Sequence, residues 1–353
     1  MKTRPTLKQL MELTQLSRAT IDRALNDRPG VHPRTRSAVE AALRQLGAGD
    51  DETLPVASRA PSRALRVRLL LQAGDAFTAE LTRTAASLEA EFAAGGVTLD
   101  IVNCVGASDE DVALRVREAA QGAQAARGTQ AAADAIGIIC TNTPPITSAL
   151  RECMARGLGV VTLITDVDAD ARHTYVGVNN RAAGQSAAFL VGRHLEGRPS
   201  PSVAVVVATF SYSCHEDREI GFRSLLRQRF PHVNLVEVIK GADSGAATYE
   251  ATRRCMEMHG ALDGVYNVAG GNEGLAAALR ERGLAGRTLY VTHEVNAVTE
   301  PLLRADVIDY LLSQDLRLLL RTAVEQMRNA VAGGKPPAQA LVPIETYSRY
   351  SLP

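Results

Sequence analysis

The side chains with the most chemical potential stand where strand-like runs end or helix-like runs begin. Asp166 closes LITD, Arg218 opens the helix after VAVVVA, and Asn272 follows GVYNVA. Glu294 closes LYVTHE, and Gln314 precedes a helical run on a returning crossover. Carboxylates, amides and a guanidinium offer paired acceptors and donors, which suits two-point gripping of vicinal hydroxyls. Taken singly, each is as readily a helix cap or a surface charge. Their shared place at strand C-terminal ends argues for a common cleft. Thr141 and Asn142 are further lining candidates. Phe77 either stacks on a ligand face or belongs to the core.

A second concentration of chemistry lies in residues 16–36, LSRATIDRALNDRPGVHPRTR, where five arginines sit among short polar residues without an aromatic. If 17–28 is helical, Ile21, Ala24 and Leu25 face inward, and Ser17, Arg18, Ala19, Arg23 and Asn26 share the other face. Arginine pairs bidentately with guanine and asparagine with adenine. Ser17, Thr20 and Thr35, with Arg34 and Arg36, suit phosphate contacts. The plainer reading is an exposed basic helical hairpin.

Other chemistries find little support. No Gly-rich stretch, neither GAGD (47–50) nor AGGNEG (269–274), has dinucleotide or phosphate-loop spacing, and no G-x-S-x-G elbow occurs. His215-Glu216-Asp217 fits no metal motif and reads as a surface helix start. Cys104, Cys140, Cys153, Cys214 and Cys255 include no C-x-x-C pair, so buried reduced thiols are expected, with no disulfide framework and no zinc site. No enzyme, metal or cofactor is expected.

The elements that must position these residues fall into three parts. Residues 1–47 carry nine Lys/Arg against four acids, a net +5, which leaves −5 for the rest of a formally neutral chain. Such a basic head on an acidic body suggests a nucleic-acid partner at one end. Leu7, Leu10 and Met11 have helical spacing, with Thr6 and Gln9 placed as a capping box. Ser17 is suited to cap a second helix that ends at Pro29-Gly30. Pro33 opens a third, with Val39, Leu43 and Leu46 inward. Three short helices in this order predict a helix-turn-helix. Residues 48–65 read as a linker, with Asp50-Asp51-Glu52, Pro55 and Pro61 interrupting any helix.

From Arg66 onward, strand-like and helix-like runs alternate. Strands are expected at 66–72, 97–103, 135–141, 158–165, 203–208, 234–240, 264–269 and 289–294. Helices are expected at 78–94, 108–126, 146–156, 181–195, 216–229, 246–259, 273–283 and 316–332. This βα rhythm predicts an α/β fold of two doubly wound parallel-sheet lobes with a cleft between them. No apolar stretch reaches 18 residues, so no membrane span is expected. MKTRPTLKQL lacks the apolar core of a secretory signal, so a cytoplasmic location is expected.

Residues 6–47 resemble the headpiece of the lactose-repressor (LacI) family, through Thr6-Leu7, Leu-Ser-x-x-Thr at 16–20, Arg23, Leu25-Asn26, Val31, Thr35-Arg36 and Leu46-Gly47. The body is similar to that family's effector domain, of periplasmic sugar-binding-protein fold, through VGVNNRAAG (176–184), Arg218, Gly221-Phe222, GVYNVAGGNEGLAAAL (264–279), THE (292–294) and LLSQDLRLLLRTAVEQM (311–327). The resemblance implies a DNA-binding headpiece at 1–47, a hinge at 48–65 with Leu54 or Leu65 as a minor-groove wedge, and an effector domain at 66–353. Its N-lobe would be about 66–178 plus 316–343, and its C-lobe about 179–315 plus 344–353. Arg18 and Ala19 would read bases. The strand-end set from Phe77 to Gln314 would hold a sugar-like effector. The expected whole is a dimeric, ligand-controlled repressor on a palindromic operator, with a tetramer left open. The alternative is a sugar-binding transport component.

Overall fold

The computed structural model describes residues 7–14, 16–18, 20, 21, 35, 39, 42, 64–121, 124, 125, 128, 129 and 132–352. The chain divides into two compact units, Met1–Ser62 and Arg63–Pro353.

In the first unit, helix α1 spans Leu7–Thr14. Leu10, Ile21, Val39 and Ala42 are buried together, with Leu16 packed against them. Three of these, Leu10, Ile21 and Val39, are positions that helical spacing assigned inward. The Ser17 hydroxyl accepts from the Thr20 amide at 3.2 Å, as an N-cap does. Ser17 and Arg18 are exposed, and Thr20 and Thr35 are half-buried. The expected DNA contacts Thr6, Ala19, Arg23, Asn26, Arg34 and Arg36 lie outside the described residues, as do Leu54 and most of the expected hinge.

The second unit opens with β1 (Leu65–Leu71), α2 (Asp75–Ser87), α3 (Glu89–Ala94), β2 (Val97–Asn103) and α4 (Asp109–Gln121). A short pair, β3 (Gln124–Ala125) and β4 (Gly128–Thr129), precedes β5 (Ala135–Ile139), α5 (Pro144–Ala155), β6 (Gly159–Leu163) and β7 (Thr174–Gly177). Then come α6 (Asn180–His194), β8 (Ser202–Val207), α7 (Ser213–Arg229), β9 (Asn234–Lys240), α8 (Gly245–His259), β10 (Gly264–Asn267) and α9 (Asn272–Glu281). The chain finishes with β11 (Leu289–His293), α10 (Thr299–Arg304), β12 (Tyr310–Ser313), α11 (Leu316–Val331), β13 (Gln339–Leu341) and β14 (Glu345–Tyr347).

The N-lobe sheet has the order β13-β7-β6-β5-β1-β2 and the C-lobe sheet β14-β12-β11-β10-β8-β9. Every pairing in them is parallel except that of β14, an antiparallel edge strand. Both sheets place their switch point beside the first strand of the lobe, between β1 and β5 and between β8 and β10, where crevices open at strand C-terminal ends. The chain crosses between lobes three times, after β7, after β12 and after β13. On the second crossing Asp315 caps α11, accepting from the Arg317 and Leu318 amides at 2.8 and 3.0 Å. Leu319, Leu320, Ala323, Val324 and Met327 then repeat at helical spacing and are buried in the N-lobe core.

Local expectations needed correction. The helix expected at 78–94 is two, divided at Leu88, a residue 1% exposed. The helix expected at 108–126 stops at Gln121. β6 ends at Leu163 and not at Thr165, because Ile164 takes φ 66°. Leu65 starts β1 and is buried in the N-lobe core, so it is unavailable as a wedge for DNA.

Candidate functional site

A cavity of about 950 Å³ lies between the two lobes. It is lined from residues at or just past the strand ends of both sheets: 72–77 after β1, 105–107 after β2, 164–165 after β6, 208, 209 and 212 after β8, 242–245 after β9, 268–273 after β10, and 293, 294 and 296–298 at the end of β11. The lobes meet along one side of it. Tyr212 donates to the Gln72 carbonyl at 3.0 Å, Ser213 to the Asp166 carbonyl at 2.7 Å, and the Asn142 amide to the Ser211 carbonyl at 2.7 Å.

Of the strand-end set, the fold brings Phe77, Arg218, Asn272 and Glu294 to this cavity. Phe77 lines it while packing against the N-lobe core. Arg218, 4% exposed, donates from Nε to Asn180 Oδ1 at 2.8 Å and from Nη1 to the Val268 carbonyl at 3.1 Å. Asn180 is itself fixed, donating to the Ile164 carbonyl and the Tyr175 hydroxyl, each at 3.0 Å. The Asn272 side-chain oxygen accepts from Asn267, Tyr290 and Thr292 at 2.6–2.9 Å. That leaves its amide nitrogen as the atom with donors to spare. Glu294 takes φ 63°, a strained conformation for a non-glycine residue, and its oxygens accept from Ser313 at 3.2 Å and Gln314 at 2.8 Å. Burial pushes its carboxyl above the ordinary range.

Four expected lining residues do other work. Thr141 is buried and its hydroxyl donates to Asp109 at 2.7 Å. Asn142 is tied to Asp168 at 3.2 Å. Asp166 is paired with Arg172, at 2.6 Å through Nη2, and lines a separate cavity of about 380 Å³ near Asn179 and Arg181. Gln314 sits behind Glu294 and holds it in place. All four lie near strand ends, but the turns carry their side chains off the cavity.

Sequence reasoning missed His215, Asp243 and His293, all of which line the cavity. His215 was read as surface and is 7% exposed. Burial, with the Arg218 cation adding to it, pushes its pKa down to about 3, so the ring is neutral at pH 7. The same two causes hold His293 well below the usual value, and its Nε2 lies 2.7 Å from the Tyr266 hydroxyl. Asp243 takes φ 53° and accepts from the Gly270 amide at 2.7 Å, and burial raises its carboxyl. The one available signal was position, since His293 and Asp243 each lie within three residues of a strand end.

Two lobes of like topology, joined by three crossovers around a polar cavity, are a recognisable design, and residues 73–336 match the model of the periplasmic binding protein domain. This chain belongs to that family. The chain is similar in fold to GanP, a glucose-galactose binding protein from Geobacillus stearothermophilus, at TM-score 0.72 and 19% identity over 82% of this chain and 99% of that one. It is also similar to an ABC transporter solute-binding protein from Burkholderia graminis in complex with D-arabinose, at TM-score 0.71 and 18% identity, covering 82% of this chain and 96% of that one. A periplasmic component of a sugar transport system from Hahella chejuensis matches at TM-score 0.69 and 20% identity, over 80% and 99% of the two chains. The chain has no match among curated proteins.

These findings correct the expectation of a lactose-repressor-type transcription regulator. The matched family is the periplasmic binding protein domain, and the similar structures are a glucose-galactose binding protein and components of ABC-type transport systems, which fits the alternative weighed from sequence better than a regulator. None of them supports a helix-turn-helix, a DNA operator partner or a dimer. The five cysteines are all buried and unpaired, and burial holds Cys153 up at about 11. Among the described residues no helix is long and apolar enough to cross a membrane, and no cluster of metal-ligating side chains occurs.

Proposed function

We propose that the Arg63–Pro353 unit binds a hydroxyl-rich small molecule of the sugar class in the inter-lobe cavity, without transforming it, as the sugar-binding component of a transport system. One observation carries this reading. A cavity of about 950 Å³ at both topological switch points is lined by Arg218, Asn272, Asp243 and Glu294, which combine spare donors with carboxylate acceptors. Hydroxyl groups both donate and accept, so they satisfy both kinds of group at once. The low aromatic content leaves Phe77 and Tyr212 as stacking surfaces, and polar contacts carry most of the recognition.

The test is a thermal-shift screen of the full chain against neutral sugars, sugar acids and polyols, with amino acids and nucleosides as controls. A ligand that binds only the folded state raises the melting temperature by mass action. Stabilisation confined to hydroxyl-rich carbohydrates supports the reading, and stabilisation confined to the controls overturns it. Cells lacking the chain should then fail to take up the ligand so identified.

A further inference from the structure

Three arginines are buried in the described residues: Arg68, Arg172 and Arg218. Arg68 pairs with Asp100 at 2.9 Å, and Arg172 pairs with Asp166. Arg218 has no carboxylate within 4.0 Å among the described residues. Its two hydrogen-bond partners are neutral, an amide oxygen and a backbone carbonyl. The third nitrogen, Nη2, is buried without a partner. A buried guanidinium without a carboxylate in contact is costly to leave so.

The surroundings of Arg218 repeat the bias. His215 stands one turn earlier on the same face of α7 and lines the same cavity. Its Nδ1 is also buried without a partner. Both residues lie in the first two turns of a 17-residue helix, at its positive end. Glu294 lies within electrostatic reach of Arg218 but forms no ion pair with it. Both Glu294 oxygens already accept from Ser313 and Gln314.

We propose that the ligand is a sugar acid, a polyhydroxylated molecule with one carboxylate, and that the carboxylate seats against Arg218 Nη2 and His215 Nδ1. This rests on the sugar-class reading above and narrows it. Arg218 contributes the charge, and His215 Nδ1 stands beside it as a second buried polar atom without a partner. The hydroxylated remainder of the ligand meets Asn272, Asp243 and Glu294. A neutral sugar satisfies the same hydrogen bonds but leaves Arg218 without a carboxylate in contact, so the acid is the tighter ligand of a matched pair.

The experiment is isothermal titration of the full chain with matched pairs: glucose with gluconate and glucuronate, galactose with galactonate and galacturonate, arabinose with arabinonate. At least one acid should bind tenfold or more tightly than its neutral partner. In Arg218→Gln, checked for folding by circular dichroism, that preference should disappear. Neutral sugars binding as tightly as their acids overturn the proposal and leave the sugar-class reading standing. Binding of neither set overturns both. The wild-type ratio decides the matter even if the variant does not fold.

Discussion

Gly184 lies on α6 directly against the backbone of α7. A Cβ placed there would sit 1.9 Å from the Arg218 carbonyl oxygen and 2.9 Å from the Phe222 amide nitrogen. The contact is reciprocal, since a Cβ on Gly221 would sit 2.2 Å from the Arg181 carbonyl oxygen. Ordinary Cβ contacts begin near 3.4 Å, so Gly184→Ala must drive the two helices apart by roughly 1.5 Å. Neighbouring backbone cannot rotate away as a side chain would, which puts the cost near the upper end of overpacking, about 3 kcal/mol. With unfolding entropy scaling per residue, that corresponds to a fall of about 5 °C in melting temperature for a unit of this size. The atom struck belongs to Arg218 itself, so ligand affinity should fall with stability, by about tenfold or more. Differential scanning calorimetry gives the first quantity, and titration with the best ligand from the screen gives the second. Gly197→Ala is the control, because nothing lies within 4 Å of a Cβ there. A Gly184→Ala protein that melts within 1 °C of wild type and binds normally would show that the two helices do not touch here, and the placement of Arg218 would fall with that contact.

His215 gives a pH prediction. Its folded pKa of about 3 lies below the value of about 6.5 expected unfolded, so the unfolded chain takes up the proton first as pH falls. Stability from this residue is intact above about pH 6.5 and is lost as pH drops toward 3, by about 2 kcal/mol at pH 5. Urea unfolding at pH 7 and pH 5 should therefore show His215→Gln losing about 2 kcal/mol less than wild type, and equal losses would place the ring in solvent. Glu294 has the opposite sign. Its carboxyl is raised by burial, so its charge opposes folding above its unfolded value. Glu294→Gln should melt higher than wild type without ligand and bind the sugar at least tenfold more weakly; a lower melting temperature would contradict the assigned cost of burying the charge.

The α/β rhythm was legible because most of it comes from long, self-contained runs. β2 and β9 match their expected limits residue for residue, since VTLDIVN and NLVEVIK are bounded by turn residues on both sides. Three short strands were not legible. β7, β13 and β14 are three or four residues long and exist because a neighbouring strand presents an open edge. Asn272 and Glu294 line the cavity because a strand end points along its own axis toward it, and Arg218 lines it from the start of α7. Thr141, Asn142 and Asp166 were misplaced because direction changes within one turn, as the positive φ of Ile164 shows. His215 was missed for another reason. HED at a helix start reads as solvent-facing, yet its first residue is buried, beside the Tyr212 ring and Arg218. The first unit shows the same division, with Leu10, Ile21 and Val39 read correctly from spacing while the contact residues around them lie outside the described part.

The three crossovers also set the order in which the lobes can be completed during synthesis. The N-lobe strands β1 to β7 leave the ribosome first, yet one flank of that sheet is sealed by Leu319, Leu320, Ala323, Val324 and Met327 of α11. About 140 residues separate the end of β7 from the start of α11, so the sheet waits on the order of ten seconds for its cover at ordinary elongation rates. The C-lobe needs no late element except its edge strand β14, and its five parallel strands are contiguous in sequence. The lobe encoded second is therefore the first able to close its core. A chain interrupted anywhere before Leu316 would release an N-lobe with one apolar sheet face covered only in part, by Leu81, Ala85, Leu88 and Phe92.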